Sequence, residues 1–496
     1  MGLAIDRTTF TSADFKNYRQ RVAENLQVLR VLMSDPQFAV GPQTIGAELE
    51  LSMVDEEGHA FPHNQEVLEA SNNEHTQVEL DNFNLEYNFT PTDLVGAPFA
   101  DLQNQISFAM SSLDSFARRF AGRIVSVGIL PTLRHTDLTV ESITDLPRYH
   151  ALAAGLRAMK GEPFDIDIHG VENLKLFSET IAFEGANTSF QLHLRVNPDK
   201  FAQTFNAAQF VTPLALACAA NSPVFLNKLL WDETRVSLFK QATDTRIAVD
   251  RPWRRAARVP FGHGWVRSGA LELFEEAVAL HPPLLPLLDA VRAPEQLQHG
   301  EIPSLRELRL LQGTVWQWNR PVYDPGCGGH LRIELRALPA GPTPLDMAAN
   351  AAFLYGLVLY YRDRIDTLMP ALPFRYAEYN FYRAAQKGLD AKLLWPDLEE
   401  LSPREIPIRT LIDLVLPHAL SGLTDNGVDS ADANRMMDVI ANRNASGVTG
   451  ARWQRRELLS ICDSGCEREQ ALVKMLKSYM AHQAAGEPVG SWPQDS

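Results

Sequence analysis

The chain has 496 residues, of which 45% are hydrophobic and 22% charged, a composition typical of folded globular proteins and not of disordered ones. Its 46 basic and 61 acidic side chains give a net charge of −15, so the surface as a whole repels phosphate backbones and acidic membranes. This charge argues against a nucleic-acid-binding protein. The longest apolar run, residues 351–361, is roughly half as long as a membrane-spanning helix.

The first ten residues include Asp6 and Arg7 and no apolar segment, so no secretory signal is expected. Four cysteines in a chain of this length do not form a disulfide framework. Together these features predict a cytoplasmic protein. The sequence motifs of P-loop, dinucleotide-binding, α/β-hydrolase and zincin sites are absent. If the chain uses ATP, it must bind it with charges and metal ions.

Predicted helices and strands are interleaved along the chain. Apolar residues at helical spacing predict a helix over 13–34, and Gly41-Pro42 ends this N-terminal extension. From Ile45 the hydrophobic period changes to two. In chain order the further predicted elements are strand 45–54, strand 82–89, helix 102–120, an apolar β-branched run at 124–130, a loop or edge strand at 163–169, strand 190–196, helix 205–218, a helix at 273–291 interrupted at Pro282-Pro283, a loop at 321–329, strand 331–338 and helix 346–364.

The C-terminal part, from about 393 to 480, is predicted to be mainly helical, and the residues from Gly486 are predicted to fray. The chain therefore divides into a helical extension (1–42), one main domain (43–480) and a tail (481–496). The strands alternate sharply between apolar and polar residues. Because parallel sheets covered on both faces lack this alternation, we predict an α+β fold with an antiparallel sheet whose apolar face packs on helices.

The polar faces of the predicted strands carry an unusual set of side chains. Residues i and i+2 share one face of a strand, so Glu48 and Glu50 lie together on the first strand. The other three strands place on one face Asn82, Asn84, Glu86 and Asn88; Gln191, His193 and Arg195; and Arg332, Glu334 and Arg336.

A solvated sheet face is the simpler interpretation, but such faces are usually built from Thr, Ser, Lys and mixed charges. Glu48 and Glu50 are like charges about 7 Å apart, which costs energy unless a cation lies near them. Carboxylate oxygens with at most one histidine suit Mg²⁺ or Mn²⁺ better than zinc. A divalent ion beside arginines is what phosphoryl transfer requires, so the pattern favours a metal–nucleotide site.

The same residues resemble a known family. The matching pieces, in chain order, are Gly46-Ala-Glu-Leu-Glu50, Leu85-Glu86 with Thr90-Pro91, Pro147-Arg148-Tyr149, residues 187–193, residues 220–223, Glu233-Thr-Arg235, Thr243-Asp-Thr-Arg246, Thr314-Val-Trp316 with Asn319-Arg-Pro321, Ile333-Glu-Leu-Arg336, residues 380–388 and residues 450–455. In this order they resemble the glutamate–cysteine ligase family, type 2, which includes carboxylate–amine ligases and plant-type glutamate–cysteine ligases.

The resemblance implies a glutamine-synthetase-like fold, in which a curved antiparallel sheet backed by helices forms a funnel with its polar face inside. It also implies Mg²⁺ (or Mn²⁺) as cofactor, ATP as co-substrate and activation of a carboxylate as an acyl phosphate that an amine attacks. The implied metal ligands are Glu48, Glu50, Glu86 and Glu334, with Glu79 as a further one. Glu79 and Glu86 have opposite strand parity, so both can face inward only if a turn or bulge lies at Asp81-Asn82.

Other matching positions imply roles for polar side chains around the metals. Gln191 or His193 matches the nucleotide- or metal-contacting position. The phosphate or substrate-carboxylate binders, for which a bidentate guanidinium is well suited, are Arg336 and Arg320 as catalytic residues and Arg235 and Arg246 as substrate-binding residues.

The resulting prediction is an ATP-dependent carboxylate–amine ligase whose acid is glutamate and whose amine is cysteine or another small amine. Its partners are small-molecule substrates, with no nucleic acid and no membrane, and a homo-oligomer is left open. Two alternatives remain: a phosphotransferase acting on a guanidino or carboxylate group, and an inactive relative with a binding or regulatory role.

Overall fold

A computed structural model describes residues 9–247, 255–397 and 402–493. The strands are β1 (Thr44–Val54), β2 (Thr76–Val78), β3 (Asn84–Asn88), β4 (Thr92–Asp93), β5 (Arg123–Val125), β6 (Phe164–His169), β7 (Asn173–Ser178), β8 (Phe190–Arg195), β9 (Val224–Phe225), β10 (Lys228–Leu229), β11 (Asn319–Asp324), β12 (His330–Leu335), β13 (Lys392–Asp397) and β14 (Ser402–Pro407).

The helices of the described residues include both long core helices and single turns. They are α1 (Ser12–Met33), α2 (Asn64–Ser71), α3 (Pro98–Ala117), α4 (Pro147–Lys160), α5 (Ala182–Gly185), α6 (Phe201–Ala219), α7 (Thr234–Ala242), α8 (Ala270–Leu280), α9 (Ala293–Gln298), α10 (Arg306–Gly313), α11 (Pro344–Arg362), α12 (Ile365–Leu368), α13 (Phe374–Lys387), α14 (Ile408–Thr424), α15 (Ser430–Ser446), α16 (Gly450–Asp463) and α17 (Arg468–Ala485).

One large antiparallel sheet organises the molecule. Its strand order is β11-β12-β8-β1-β3-β2, and β4 and β5 pair with the two ends of β1. Helices and antiparallel strands are interleaved along the chain, so the predicted α+β class is confirmed.

The apolar face of this sheet packs on helices, as the alternation predicts. Leu49, Leu192 and Ile333 on this face are fully buried. The Tyr355 hydroxyl of α11 donates a hydrogen bond of 2.9 Å to the carbonyl of His193 in β8, which ties the helix to the sheet. Around α11 pack α3, α6, α14 and α15. Because this side of the sheet is filled by helices, the polar face is left to line a cavity.

Proline explains two differences from the predicted elements. The segment predicted as a loop at 321–329 begins inside β11, which pairs with β12 so that Pro321 faces Ile333. A proline is tolerated there because β11 is the edge strand of the sheet. The helix predicted over 273–291 ends at Leu280, because Pro282-Pro283 has no N–H groups to continue it.

The C-terminal region also differs from its prediction. It begins with the hairpin of β13 and β14 before the predicted helices follow. The tail does not fray within the described residues. Trp492 is buried and packs against Trp453 and Tyr479, with ring centroids 5.1 and 5.3 Å apart. Among the helices of the described residues, none is both long and apolar enough to cross a membrane.

The N-terminal extension is attached to the main domain through α1. Arg21 forms an ion pair of 3.1 Å with the buried carboxylate of Glu307 in α10, and the Tyr18 hydroxyl donates to the carbonyl of Glu307 at 2.6 Å. The Asn25 amide donates to the same carboxylate at 3.2 Å. The extension therefore holds α10, whose other side lines the cavity described below.

The close crossing of α11 and α14 yields a stability prediction. A Cβ atom added at Gly422 would collide with the carbonyl oxygen of Gly356, which is backbone and cannot swing away. We expect Gly422→Ala to lower the free energy of unfolding by about 2 kcal/mol, because overpacked cores must shift their backbone. Chemical denaturation measures the loss. Gly264→Ala is the control, since an added Cβ meets no atom within 4 Å there. Equal stability of the two variants would contradict the close packing.

Candidate active site

The polar face of the large sheet lines a cavity of about 400 Å³. Side chains from six of the sheet's strands, from α4 and from α10 surround it. Its charged and amide lining residues are Glu48, Glu50, Gln77, Glu79, Glu86, Arg148, Glu184, Gln191, Arg309, Gln312, Arg320, Arg332, Glu334 and Arg336.

Strand register brings the acidic side chains together. Glu50 of β1 lies directly opposite Glu86 of β3, and Glu334 of β12 lies opposite His193 of β8. Gln191 of β8 lies opposite Glu48. Residues directly opposite each other in an antiparallel pair have their Cβ atoms about 5 Å apart and on the same face. The register thus converts four separate alternating segments into one continuous polar surface.

Glu48, His193 and Glu334 form the first of two clusters. One potential ligand atom from each lies within 4.8 Å of the others. The Nε2 atom of His193 lies 3.1 Å from Oε1 of Glu48, and its Nδ1 accepts a hydrogen bond of 3.1 Å from Nε of Arg332. With Nδ1 accepting, the proton of a neutral ring lies on Nε2, beside Glu48. His193 thus lies beside Glu48, and the carboxylates of Glu48 and Glu334 could supply oxygen ligands to a metal ion.

The pKa values in this cluster reflect its cations. Burial would raise the pKa of Glu48, but the adjacent His193 holds it below its ordinary value. Burial acts in the same direction on Glu334, yet Arg320 and Arg336 hold its pKa well below the usual range. Both carboxylates are therefore ionised at neutral pH and can bind a divalent cation.

Glu50, Glu79 and Glu86 form the second cluster. The Glu50 carboxylate accepts hydrogen bonds from the backbone N–H of Ser189 at 2.7 Å and from the Gln191 amide at 2.8 Å. Glu86 accepts from Asn88 at 2.8 Å. Within the described residues, none of these three carboxylates forms an ion pair with a lysine or arginine.

The hairpin between β2 and β3 allows Glu79 and Glu86 to face the same cavity. The turn closes with a hydrogen bond of 2.9 Å from the N–H of Asn84 to the carbonyl of Asp81. The register pairs Gln77 with Glu86, and Glu79 lies two residues after Gln77 on the same face. This turn is the one that the opposite parity of the two residues requires.

Burial, together with repulsion from neighbouring carboxylates, raises the pKa values of Glu79 and Glu86. Burial and the neighbouring Glu48 and Glu50 raise the pKa of Glu86 to about 7. Burial and Glu86 raise the pKa of Glu79 well above its ordinary value. Buried carboxylates gathered at one position without a direct ion pair to a lysine or arginine of the described residues are a donor set that fits Mg²⁺ or Mn²⁺.

The predicted catalytic arginines lie beside the acidic clusters. Arg320 donates hydrogen bonds to both oxygens of Glu334, with Nη2 3.1 Å from Oε1. This contact is expected of residues that are paired across β11 and β12. Arg336 donates to Gln191 and lies 3.3 Å from Oε2 of Glu334. Both guanidinium groups line the cavity together with the acids.

The two predicted substrate-binding arginines, Arg235 and Arg246, do not line the cavity as Arg320 and Arg336 do. Arg235 is buried and lines a smaller pocket adjoining the cavity. Arg246 does not line the cavity. Its guanidinium donates hydrogen bonds of 2.9 and 3.0 Å to the two carboxylate oxygens of Asp244.

Several lining residues were not assigned a role from the sequence. Glu184 lies on the short α5, where no alternation marks it, and burial together with Glu50 raises its pKa to about 8. Arg309 on α10 lies on a helix whose sequence gave no functional signal. Arg148 of α4 was present in a family-like motif, which could have identified it.

The segment that contains β1, β3 and β8 is similar to a known protein family. Residues 44–259 match the family model described as glutamate-cysteine ligase family 2 (GCS2). This stretch is similar to the glutamate-cysteine ligase family 2. It contains β1, β3 and β8 and hence Glu48, Glu50, Glu86, Gln191 and His193. The family resemblance predicted from the motifs is confirmed, and the family is one of carboxylate–amine ligases. No curated protein sequence matches the chain.

Solved structures extend the likeness to the whole fold. The structure is similar to glutamate–cysteine ligase from Francisella tularensis in complex with AMP, with a TM-score of 0.54 at 11% identity, covering 92% of this chain and 90% of that chain. It is also similar to a bifunctional glutathione synthetase from Pasteurella multocida, with a TM-score of 0.52 at 12% identity, covering 93% of this chain but 55% of that one. At these identities the likeness shows the fold, and the predicted glutamine-synthetase-like architecture is confirmed.

The second acidic cluster predicts how stability depends on pH. Unfolded, Glu86 loses its proton near its ordinary pKa of 4.5, whereas the folded protein keeps it to about 7. Between these values the folded state binds more protons, so we expect the stability of the metal-free protein to fall with rising pH, by about 3 kcal/mol from Glu86 alone. Glu48 and Glu334 have lowered pKa values, so their protonation affects the stability only at pH values below this range.

Thermal unfolding at pH 5 and pH 7.5, with and without Mg²⁺, measures the effect. Mg²⁺ should raise the melting temperature much more at pH 7.5 than at pH 5, because it supplies the charge that the deprotonated cluster lacks. Glu86→Gln should flatten the pH dependence. Metal-free protein that is equally stable at both pH values, with no response to Mg²⁺, would contradict this electrostatic description.

Proposed function

We propose that the protein is an ATP- and Mg²⁺-dependent ligase that joins glutamate, through its γ-carboxylate, to cysteine or another small amine. The observation that carries the proposal is the gathering of Glu48, Glu50, Glu86 and Glu334 from three strands on one polar face, beside Arg320 and Arg336. The substrates are small molecules of the cytoplasm, which agrees with the predicted location.

The residues that would hold the metal ions are those of the two clusters. Glu48 and Glu334 supply ionised oxygens at one position, and Glu50 and Glu86, with Glu79 beside them, supply oxygens at a second. When bound, Mg²⁺ (or Mn²⁺) supplies charge that neutralises the triphosphate and polarises the transferred phosphoryl group.

The arginines complete the neutralisation of charge. The γ-carboxylate oxygen attacks the γ-phosphorus of ATP, the bond to the β-phosphate oxygen breaks, and ADP leaves with a glutamyl phosphate remaining. Arg336 and Arg320 lie where their guanidinium groups can balance the charge on the transferred phosphoryl oxygens. Gln191, which joins Glu50 to Arg336 by its amide, fixes their relative positions.

The second step forms the amide bond. The amine nitrogen attacks the acyl carbon, inorganic phosphate leaves, and the nitrogen gives up a proton. Opposite the sheet, the cavity is walled by the apolar side chains of Leu152, Phe274 and Leu285. This wall limits the access of water, which would otherwise hydrolyse the acyl phosphate before the amine arrives.

Glu50→Gln tests the proposal. The amide keeps the shape of the side chain but removes the charge that the metal needs, so we expect kcat for ADP formation with glutamate and an amine to fall at least about 100-fold. The melting temperature without metal should stay the same or rise, since one buried charge is lost. A coupled assay for ADP measures the activity, and mass spectrometry identifies the amide product.

Glu66→Gln on the exposed side of α2 is the matched control and should retain full activity. An active Glu50→Gln variant would contradict the metal assignment. ADP formation that ignores every amine tested would contradict the ligase and favour a phosphotransferase.

A further inference from the structure

Helices bound the part of the cavity that α8, α10 and the segment 281–292 form, and we call this part the helical wall. Its side chains in the cavity include Phe274, Leu285, Arg309, Leu310 and Gln312. Helix α1 contacts α8, α9 and α10. No side chain of α1, a helix that the structure describes in full, lines the cavity. Any influence of α1 on the site therefore passes through the helical wall.

The Glu307 carboxylate, 2% exposed, joins the helical wall to α1. Its Oε1 accepts a hydrogen bond of 2.9 Å from the N–H of Asp289 and lies 3.1 Å from Nη2 of Arg21. Its Oε2 accepts one of 3.2 Å from the Asn25 amide. Arg21 also donates at 2.9 Å to the carbonyl of Asp289, so one guanidinium contacts both α10 and the segment 281–292. Within the described residues, Arg21 is the only ion-pair partner of Glu307.

Burial distinguishes this ion pair from the one that α1 forms with α8. The pair of Arg30 with Glu275 is exposed, and exposed pairs contribute little because water and salt screen them. Removing one partner of a buried pair leaves the other charge without compensation in a medium of low dielectric. Loss of Arg21 therefore leaves Glu307 unpaired inside the helical wall, and water can solvate this carboxylate only if the wall opens.

The last turn of α10 contacts the site proposed for the reaction. The carbonyl of Gln312 accepts a hydrogen bond of 3.4 Å from Nη1 of Arg320, a proposed catalytic arginine. The Gln312 side chain is 4% exposed and lines the cavity, and neither atom of its amide has a partner among the described residues. Such an amide is available to a molecule bound in the cavity. A displacement of α10 therefore changes the space in which the substrates react.

We propose that Arg21 is a positioning residue that keeps water out of the site during acyl transfer. It acts through Glu307, which holds α10 and the segment 281–292 against the cavity. This inference rests on the proposed function, because it concerns the fate of the acyl phosphate. When water reaches that intermediate, its oxygen attacks the acyl carbon and the bond to the phosphate oxygen breaks. Glutamate, inorganic phosphate and a proton result, and ADP has been formed without an amide.

The ratio of amide to ADP measures this loss to water. With ATP, Mg²⁺, glutamate and cysteine, we expect about one amide per ADP from the wild-type protein and about half or less from Arg21→Met, which removes the charge but keeps the length of the side chain. ADP formation should continue, since the carboxylates of the sheet are unchanged. A loss of stability alone would lower amide and ADP together and leave their ratio at the wild-type value.

Two variants of the same helix are the matched controls. Arg21→Lys keeps a positive charge beside Glu307 and should restore most of the ratio. Arg30→Gln breaks the exposed pair and should leave the ratio unchanged. If Arg21→Met does not fold, Glu307→Gln removes the same ion pair without leaving a buried charge on α10, and it should lower the ratio in the same direction. A wild-type ratio in the Arg21→Met and Glu307→Gln variants, or an equal fall in Arg30→Gln, would overturn the assignment.

Hydrogen–deuterium exchange of the full-length, metal-free protein separates this inference from the proposed function, because it needs no substrate. Arg21→Met should speed exchange about 10-fold or more in peptides covering 281–292 and 305–314 and leave the β8 peptide unchanged, whereas Arg30→Gln should change neither. Faster exchange throughout the protein, or none in these peptides, would overturn the positioning role even in an active ligase. Local exchange in a wild-type protein that forms no amide would instead contradict the proposed function and support Arg21 as a positioning residue of the helical wall.

Discussion

Repulsion between buried carboxylates is the constraint on which the site depends. An antiparallel sheet with one apolar and one polar face places Glu50 opposite Glu86, and the hairpin turn adds Glu79. Like charges in this arrangement are destabilising unless a cation or a proton balances them. Burial and this repulsion raise the pKa values of Glu79 and Glu86. A divalent ion bound between these carboxylates would reduce the repulsion among them.

The rest of the architecture holds this polar surface in place. Helices α6 and α11 fill the apolar side of the sheet, so the strands cannot turn their acids away from the cavity. Residues of α10 and the apolar side chains of Leu152, Phe274 and Leu285 also line the space, and α1 contacts α10 through the ion pair of Arg21 with Glu307. Helix α1 therefore supports the wall of the site that α10 forms.

Local patterns predicted much of this arrangement. The period-two alternation alone placed Glu48, Glu50, Glu86 and Glu334 on polar faces, because strand geometry fixes which side chains share a face. It could not supply strand register, which depends on long-range pairing. Arg320 came from the family resemblance, since Pro321 made its strand look like a loop.

Residues that depend on tertiary folding were not predictable from the sequence. Glu184 lies on a single helical turn, which gives it no periodic signal. Arg246 has a partner two residues earlier, Asp244, and this local pairing could have indicated that its guanidinium is occupied. The Trp492 contacts that hold the tail likewise join residues far apart in sequence.

Locating the bound ions tests the central claim most directly. Crystals grown with Mn²⁺ and a non-hydrolysable ATP analogue allow the ions to be placed by anomalous scattering. We expect ions in the cavity on the polar face of the sheet, ligated by oxygens of Glu48 and Glu334 and of Glu50 and Glu86, with the triphosphate between them and Arg336. Ions bound only outside this cavity, or a triphosphate held far from these carboxylates, would contradict it.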